Sequence, residues 1–451
     1  MTYKLLTTWD EINKELIHKY IIPKRGGNDD CIVNMVKSYK NLYSDINNKL
    51  KSKLYQNLDE TSAINTIGYI FFEVRAGVFV SIRNNRLEAF IPFANANYKN
   101  KWSSNLKLGP RNVSVREFNN QRRSDLGYTK PMLPVNKWWA NQHFVNTEPR
   151  EDVWGVHSLD EYKDMIETTL LKREVGNCMF ILNKRDHPLM LKSLNNPYSF
   201  ISDQPISHPK SSYIPILSPY TNDNYLDITI PVAQDWQLAS KPETYYQIVH
   251  DVDWDYKWNI AFFRGAATGR VDIKHNQRLM ISKMKSKLLD AGVTSWNTIN
   301  KVDHDKVIRY IIPKEMNKKG IYLKPRVNME EQLKYKYLIN IDGHTRTNRT
   351  SWILKSSSLM LLVEPMMGSG HAAMDKTWID NIIKPYEHYI PIKSDLSDLE
   401  SQIKWCIDND SKCKCMVKKA NLLSELYFNV DTITEYMAYT FNSINNKNKN
   451  K

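Results

Sequence analysis

The chain has 451 residues, of which 41% are apolar and 25% charged, with 25 tyrosines and 12 tryptophans. This is enough apolar and aromatic surface for real cores; it excludes a largely disordered chain, and the length suits two or three domains. The net charge of +14 favours anionic partners (nucleic acid, acidic membrane or a phosphorylated small molecule), unless it is only a lysine-rich solubilising surface. The five cysteines, Cys31, Cys178, Cys406, Cys413 and Cys415, make no disulfide framework, and no histidine pair stands near the C-x-C at zinc spacing. The amphipathic, charged N-terminus "MTYKLLTTWDEINKELIHKY" is unlike a signal peptide. No apolar run approaches the ~20 residues of a membrane span, and the terminal "NNKNKNK" carries no ER-retention signal. A cytoplasmic protein with thiols in the free state is expected.

In chain order, residues 1 to about 60 show apolar positions at helical spacing. The pattern then changes to period two. "GYIFFEV", "VFVSI" and "LEAFIPF", separated by turn-forming "RAG" and "RNNR", predict a small antiparallel meander over 68–93. Residues 94–150 have little periodicity. From about 158, helix and strand alternate. Ser158 stands where it would cap "LDEYKDMIETTLLKRE". "NCMFILN", "SSYIPILSP" and "IAFFRG" read as strands, and "QRLMISKMKSKLLDAG" as a helix stopped by glycine. "YKYLINIDG" is a strand, "RTSWILKSSS" a helix start, "LMLLVEP" and "HYIPI" strands, and "SDLSDLESQIKWCIDN" a helix with a serine cap. Such alternation predicts an α/β protein built of βαβ units with parallel sheets.

Ligands of open α/β sheets bind beyond the carboxyl ends of the strands. Three of these ends carry polar clusters: Arg185, Asp186 and His187; Arg264, Thr268 and Arg270; and Asp342, His344, Arg346 and Arg349. Gly343 permits a sharp turn, and a helix starting near Thr350 or Ser351 would present free N–H groups to a phosphate. Arg346 and Arg349 would add bidentate hydrogen bonds to the same group. Neither G-x-G-x-x-G nor the P-loop pattern is present. The bland alternative is that these arginines are surface residues or pair with Asp342 and Asp272.

Together and in order, "AFFRGAATGR…HNQR", "YKYLINIDGHTRTNRTSWILKSSSLMLLVE" and "PYEHYIPIKSDLSDLESQIKW" resemble glycosyltransferase family 90, which contains capsule-associated xylosyltransferases and Rumi-like protein O-glucosyltransferases. The similarity runs from about 175 to 430. It implies a GT-B architecture, two Rossmann-like lobes with a cleft between them. It also implies inverting, metal-independent transfer from a UDP-sugar (UDP-glucose or UDP-xylose) to a hydroxyl on a protein or glycan, with no cofactor required. On this resemblance "NKRDHP" places the catalytic base on Asp186, and "YLDITIP" puts Asp227 on the acceptor side. The diphosphate arginines fall on Arg264 and Arg349, with Thr268 in the same turn and Arg278 in the following helix. Gly265, Asp342 and Gly343 complete the donor set. The implied division is an N-terminal extension over 1–150, an acceptor-side lobe over 151–255, a donor-side lobe over 256–425 and a C-terminal helix with a basic tail over 426–451. "MMGSGHAAMDKTW", 366–378, is longer than the family's usual connection and leaves the donor sugar open. Without a secretory signal, folded extracellular repeats are not expected as acceptors.

Two other readings stay open at this point. "HDVDWD" offers Asp251, Asp253 and Asp255 as oxygen ligands for a divalent metal, as in GT-A transferases. A basic, tryptophan-rich protein could also hold nucleic acid or polyanionic glycan without turnover, through "NYKNKWSSNLKLGPRN" and "NKWWANQH". Nucleic acid is the less expected partner.

Overall fold

The computed structural model describes residues 40–52, 55, 62–63, 66, 77–92, 156–183, 188–190, 192, 213–297, 301–302, 308–309, 311–366 and 375–449. The chain forms two compact units. One comprises residues up to Ala233 together with Lys376–Trp378 and Asp431–Lys451; the other comprises Gln234–Asp375 and Ile379–Val430. Among the described residues no helix is long and apolar enough to cross a membrane.

The first unit holds a mixed sheet in the order β2-β1-β3-β4-β5. Strands β1 (Val78–Arg83) and β2 (Arg86–Pro92) are antiparallel, joined by Asn84 and Asn85 at φ 51° and 57°. Two consecutive positive φ angles match the right-handed twist of the flanking strands, and asparagine tolerates them. The third expected strand of the meander, 68–74, lies outside the described residues. β1 also pairs antiparallel with β3 (Cys178–Leu182), so the hairpin extends this sheet. β3, β4 (Ile216–Ser218) and β5 (Ile228–Thr229) run parallel. The helix before β3 spans Val156–Lys172, starting three residues earlier than expected, so Ser158 lies inside it and is not its cap. Helix Lys40–Leu50 packs on helix Val430–Lys449 through Tyr43, whose ring lies 5.7 Å from that of Tyr436 and 4.1 Å from that of Tyr439.

The second unit is built on a fully parallel sheet in the order β12-β11-β10-β6-β7. Its strands are β6 (Trp258–Ala266), β7 (Leu289–Ser295), β10 (Tyr335–Asn340), β11 (Leu359–Val363) and β12 (Ile390–Ile392); β8 (Lys301–Val302) and β9 (Ile308–Arg309) form a separate short hairpin. β11 is buried along its whole length, which explains a sequence of five apolar residues without alternation. Phe263, Ile339, Leu361 and Val363 bury one face against Leu399, Ile403, Met416 and Val417 of helices Leu399–Asp408 and Asp410–Tyr427. A fully buried phenylalanine such as Phe263 contributes about 2–3 kcal/mol by removal from water. The chain leaves β6 for β7 on one side and returns to β10 on the other. That makes a topological switch point between β6 and β10, where the first turns after neighbouring strands diverge and leave a crevice.

Two local expectations fail here. The helix after Asn276 ends at Lys283, and "LLDAGVTS" becomes β7 with Gly292 inside it. Gly292 is there because Lys324 crosses it: a Cβ would lie 2.6 Å from the Lys324 Cδ. Helix Leu399–Asp408 starts after Asp398 with no side-chain cap, not after a serine.

His388 is 1% exposed; its Nδ1 accepts the Lys384 N–H at 3.0 Å and its Nε2 has no hydrogen-bond partner among the described residues. Burial pushes its pKa down to about 4; Glu387 opposes the shift, and Lys384 and Lys419 reinforce it. The unfolded chain takes up this proton below about pH 6.5 and the folded chain only near 4. Stability carried by neutral His388 is therefore complete above pH 6.5 and is lost as pH falls toward 4. Urea unfolding should show a loss on the order of 2 kcal/mol between pH 7.5 and 5.0 beyond that of His388→Gln. Equal losses in the two proteins would refute the assignment.

Candidate functional site

At the carboxyl end of β6 the chain turns through Thr268 and Gly269, the latter at φ 104°, before Asp272 caps a short 3-10 turn. Asn276 holds this turn. Its Nδ2 donates to the Thr268 carbonyl at 3.1 Å and the Arg270 carbonyl at 2.6 Å, while its Oδ1 accepts from the N–H groups of Arg278 and Leu279 at 3.1 and 3.2 Å. One side chain thus caps the helix and fastens the loop before it. Gln277 next to it donates to the Glu364 and Ser394 carbonyls, both at 2.7 Å, tying the ends of β11 and β12 to the same place.

At the end of β10, Asp342 accepts from Arg346 at 3.1 Å and from the Thr347 N–H at 3.2 Å, and Arg346 also grips Asp380 at 2.9 Å. Burial works against the Arg346 charge, but the two carboxylates outweigh it and hold its pKa above the ordinary value. The two turns touch. A Cβ on Gly343 would lie 2.3 Å from the Thr268 Oγ1 and 3.1 Å from an Arg278 nitrogen; a Cβ on Gly269 would lie 3.2 Å from the Gly343 carbonyl. Glycine at 343 is the condition for bringing the strand ends this close. The niche between the turns is lined by Thr268, Gly269, Arg270, His275, Asn276, Gln277, Asp342, Gly343, Pro365 and Met366.

Two guanidiniums lie behind these turns, Arg278 next to Gly343, and neither is among the residues that line the niche. Arg278 and Arg349 lie over the same Phe263 ring, at 5.9 and 5.5 Å from its centroid. Arg278 donates only to main-chain oxygens: Asp342 at 3.1 Å, Ala266 at 3.1 Å and Ile341 at 2.9 Å. Arg349 donates to the Arg264 carbonyl at 2.7 Å. Neither has a carboxylate partner among the described residues. Burial, followed by the repulsion of Arg349, pushes the Arg278 pKa down to about 9, with Asp342 opposing, and burial brings Arg349 down to about 10. A buried Arg278 and a half-buried Arg349, sharing carbonyl dipoles and with no counter-charge among the described residues, favour an anion beside them.

Arg264, expected as a second diphosphate arginine, turns elsewhere. Its guanidinium meets both Asp290 oxygens at 2.8 and 2.9 Å and lies over the Phe262 ring at 4.7 Å. Because Phe262 pairs with Asp290 in the register of β6 on β7, this carboxylate sits two residues back from the strand position of Arg264. Arg264 therefore bears on the site through its carbonyl, which accepts from Arg349. Arg346, expected to bind the same anion, is consumed by Asp342 and Asp380. The helix after Arg349 has six residues, Thr350–Lys355, and is too short for a full macrodipole.

Asp227 is 0% exposed. Its carboxylate accepts from the Ser218 hydroxyl at 2.5 Å and from the N–H groups of Leu189 and Met190 at 2.7 and 2.6 Å, and Lys49 donates to its carbonyl. Burial pushes its pKa up while these donors hold it down. It pins the chain at Leu189–Met190 inside the first unit. Asp186, with Arg185 and His187, lies outside the described residues, as do the aromatic-basic stretches 97–112 and 136–143. The three aspartates of "HDVDWD" diverge in role: Asp251 pairs with buried Lys257 at 2.6 Å, Asp253 stands at the start of a 3-10 turn without a side-chain cap bond, and Asp255 pairs with Lys414 at 2.6 Å. They also precede β6, at the opposite end from the niche. Sequence reading passed over Asn276 and Gln277. The legible signal was an asparagine directly before a helix start, the N-cap position.

The glycosyl transferase family 90 model matches residues 169–449. Uncharacterized protein 179R of Invertebrate iridescent virus 6 is 30% identical over 96% of this chain and 41% of its own length. Human protein O-glucosyltransferase 3 is 26% identical over 50% of this chain and 42% of its own. The chain thus spans about two fifths of the curated relatives it matches. A solved sucrose-phosphate synthase from Thermosynechococcus elongatus covers 74% of this chain and 79% of its own, with 12% identity and a TM-score of 0.29, a likeness too slight to weigh. The family match, over well more than half the chain and across both turns of the niche, settles the affiliation: the chain belongs to glycosyl transferase family 90.

Proposed function

We propose that this protein is a glycosyltransferase that moves glucose or xylose from a UDP-sugar to a hydroxyl on a protein or glycan, with inversion and without a metal. The observation that carries the reading is the pair of guanidiniums, buried Arg278 and half-buried Arg349, on one aromatic ring with no carboxylate partner among the described residues. A diphosphate is the counter-charge they lack. Thr268 adds a hydroxyl, and Gly265 and Gly343 make room for the Phe263, Thr268 and Arg278 side chains that build this side of the site. Family membership and the name of the human relative support sugar transfer to oxygen. In the GT-B arrangement implied by the resemblance, the donor side falls in 256–425 and the acceptor side in 151–255.

The chemistry needs one base and one stabilised leaving group. The acceptor oxygen attacks the anomeric carbon as its proton passes to the Asp186 carboxylate. The bond from that carbon to the β-phosphate oxygen breaks on the opposite face, and UDP departs with the electron pair. Fixed guanidiniums then meet the charge that accumulates on the diphosphate, without reorganising. Engagement of Asp251 and Asp255 by lysines favours this over a metal at "HDVDWD".

Two outcomes are expected. Arg349→Ala should weaken UDP binding by about tenfold or more in calorimetry, the scale of a charge-assisted hydrogen bond; unchanged affinity would refute the clamp. Asp186→Asn should retain UDP affinity and lose transfer by at least about a hundredfold. Wild-type turnover in that variant would remove the base assignment.

A further inference from the structure

Beside β7, away from the strand ends, lies an open trough with about 600 Å³ of solvent space, lined among others by Met284, Lys285, Lys287, Ala291, Tyr322 and Lys324. Every ionisable group on that lining except the Tyr322 phenol is an amine. Lys285 and Lys287 are exposed and have no ion-pair partner among the described residues. Lys324 is a placed group. Its stem lies across Gly292, where any side chain would collide with it, and its ammonium meets Asp290 at 2.7 Å. The same Asp290 holds Arg264, so it has no charge to spare for the other lysines.

The wall of this trough is also a sheet edge, because β7 ends the strand order. Residues 289, 291 and 293 direct their main-chain polar groups outward, since alternate residues of a strand share an edge. The Leu289 N–H meets the Ser286 carbonyl at 3.4 Å, and the Val293 carbonyl accepts the Lys324 N–H at 2.8 Å. Between them, Ala291 has no such partner among the described residues. The trough thus offers an N–H and a C=O at strand geometry, two free lysines and a tyrosine that is 63% exposed.

We propose that this trough binds an extended acidic peptide segment, which adds to the β7 edge at Ala291 and sets its carboxylates on Lys285 and Lys287. Main-chain pairing supplies orientation and the lysines supply selectivity for acidic sequence. The site is separate from the sugar-donor niche and does not depend on it.

The test is fluorescence anisotropy of the full chain with fluorescein-labelled hexaglutamate at 150 mM salt. Competitors are unlabelled hexaglutamate, the same peptide N-methylated at alternate residues, oligothymidylate and a heparin pentasaccharide. The expected result is saturable binding, weakened about tenfold or more by Lys285→Ala with Lys287→Ala and about tenfold by N-methylation. UDP affinity in the double variant should be unchanged, which separates this site from the donor niche. No saturable binding, equal competition by the N-methylated peptide, unchanged affinity in the double variant, or stronger competition by the nucleic acid or the saccharide would each overturn the proposal.

Discussion

Two positive charges over one aromatic ring, Arg278 buried and Arg349 half-buried, with only carbonyl oxygens to answer them among the described residues, are the constraint around which the second unit is organised. Such a pair is unfavourable in isolation, because burial strips water from both guanidiniums and their repulsion adds to the cost. Burial lowers the pKa of both Arg278 and Arg349, the direction expected of a charge without a counter-charge. The fold pays for holding them by tying Arg278 to three carbonyls, one at the end of β6 and two just past the end of β10, so the same residue that carries the charge also joins the two strand ends.

The surrounding residues keep that charge available. Nearby carboxylates are present but committed: Asp342 and Asp380 to Arg346, Asp290 to Arg264 and Lys324. If Asp342 were not held by Arg346 and the Thr347 N–H, it would be a ready counter-ion for Arg278, whose side chain already bonds its carbonyl. Arg264 acts through the same logic from behind. Its guanidinium is anchored on Asp290 while its carbonyl orients Arg349. Gly343 allows the Thr268 turn to reach the β10 turn at all.

Much of this was legible in the sequence, and the failures are physical. Four of the five parallel strands of the second unit, β6, β10, β11 and β12, announced themselves by their apolar runs, and the glycine-arginine clusters at the ends of β6 and β10 fall on the two turns that meet. What could not be read was which arginine would be free. Arg264, Arg346 and Arg349 look alike as letters; their roles depend on Asp290 and Asp380, which lie 26 and 34 residues away in the chain. Gly292 looked like a helix stop because glycine is common there, yet its purpose is to make room for a lysine arriving from residue 324. Asp227 looked like a site carboxylate near a cleft. Its enclosure by Ser218, Leu189 and Met190 is a tertiary fact that local spacing does not encode.

The central claim is that the niche between the β6 and β10 turns recognises a diphosphate by charge. The most direct measurement is calorimetric titration of the intact chain with UDP and with uridine under the same conditions. Two uncompensated guanidiniums predict that UDP binds at least about a hundredfold more tightly, with a preference that shrinks as salt rises. Equal affinity for the nucleoside and its diphosphate would contradict the account.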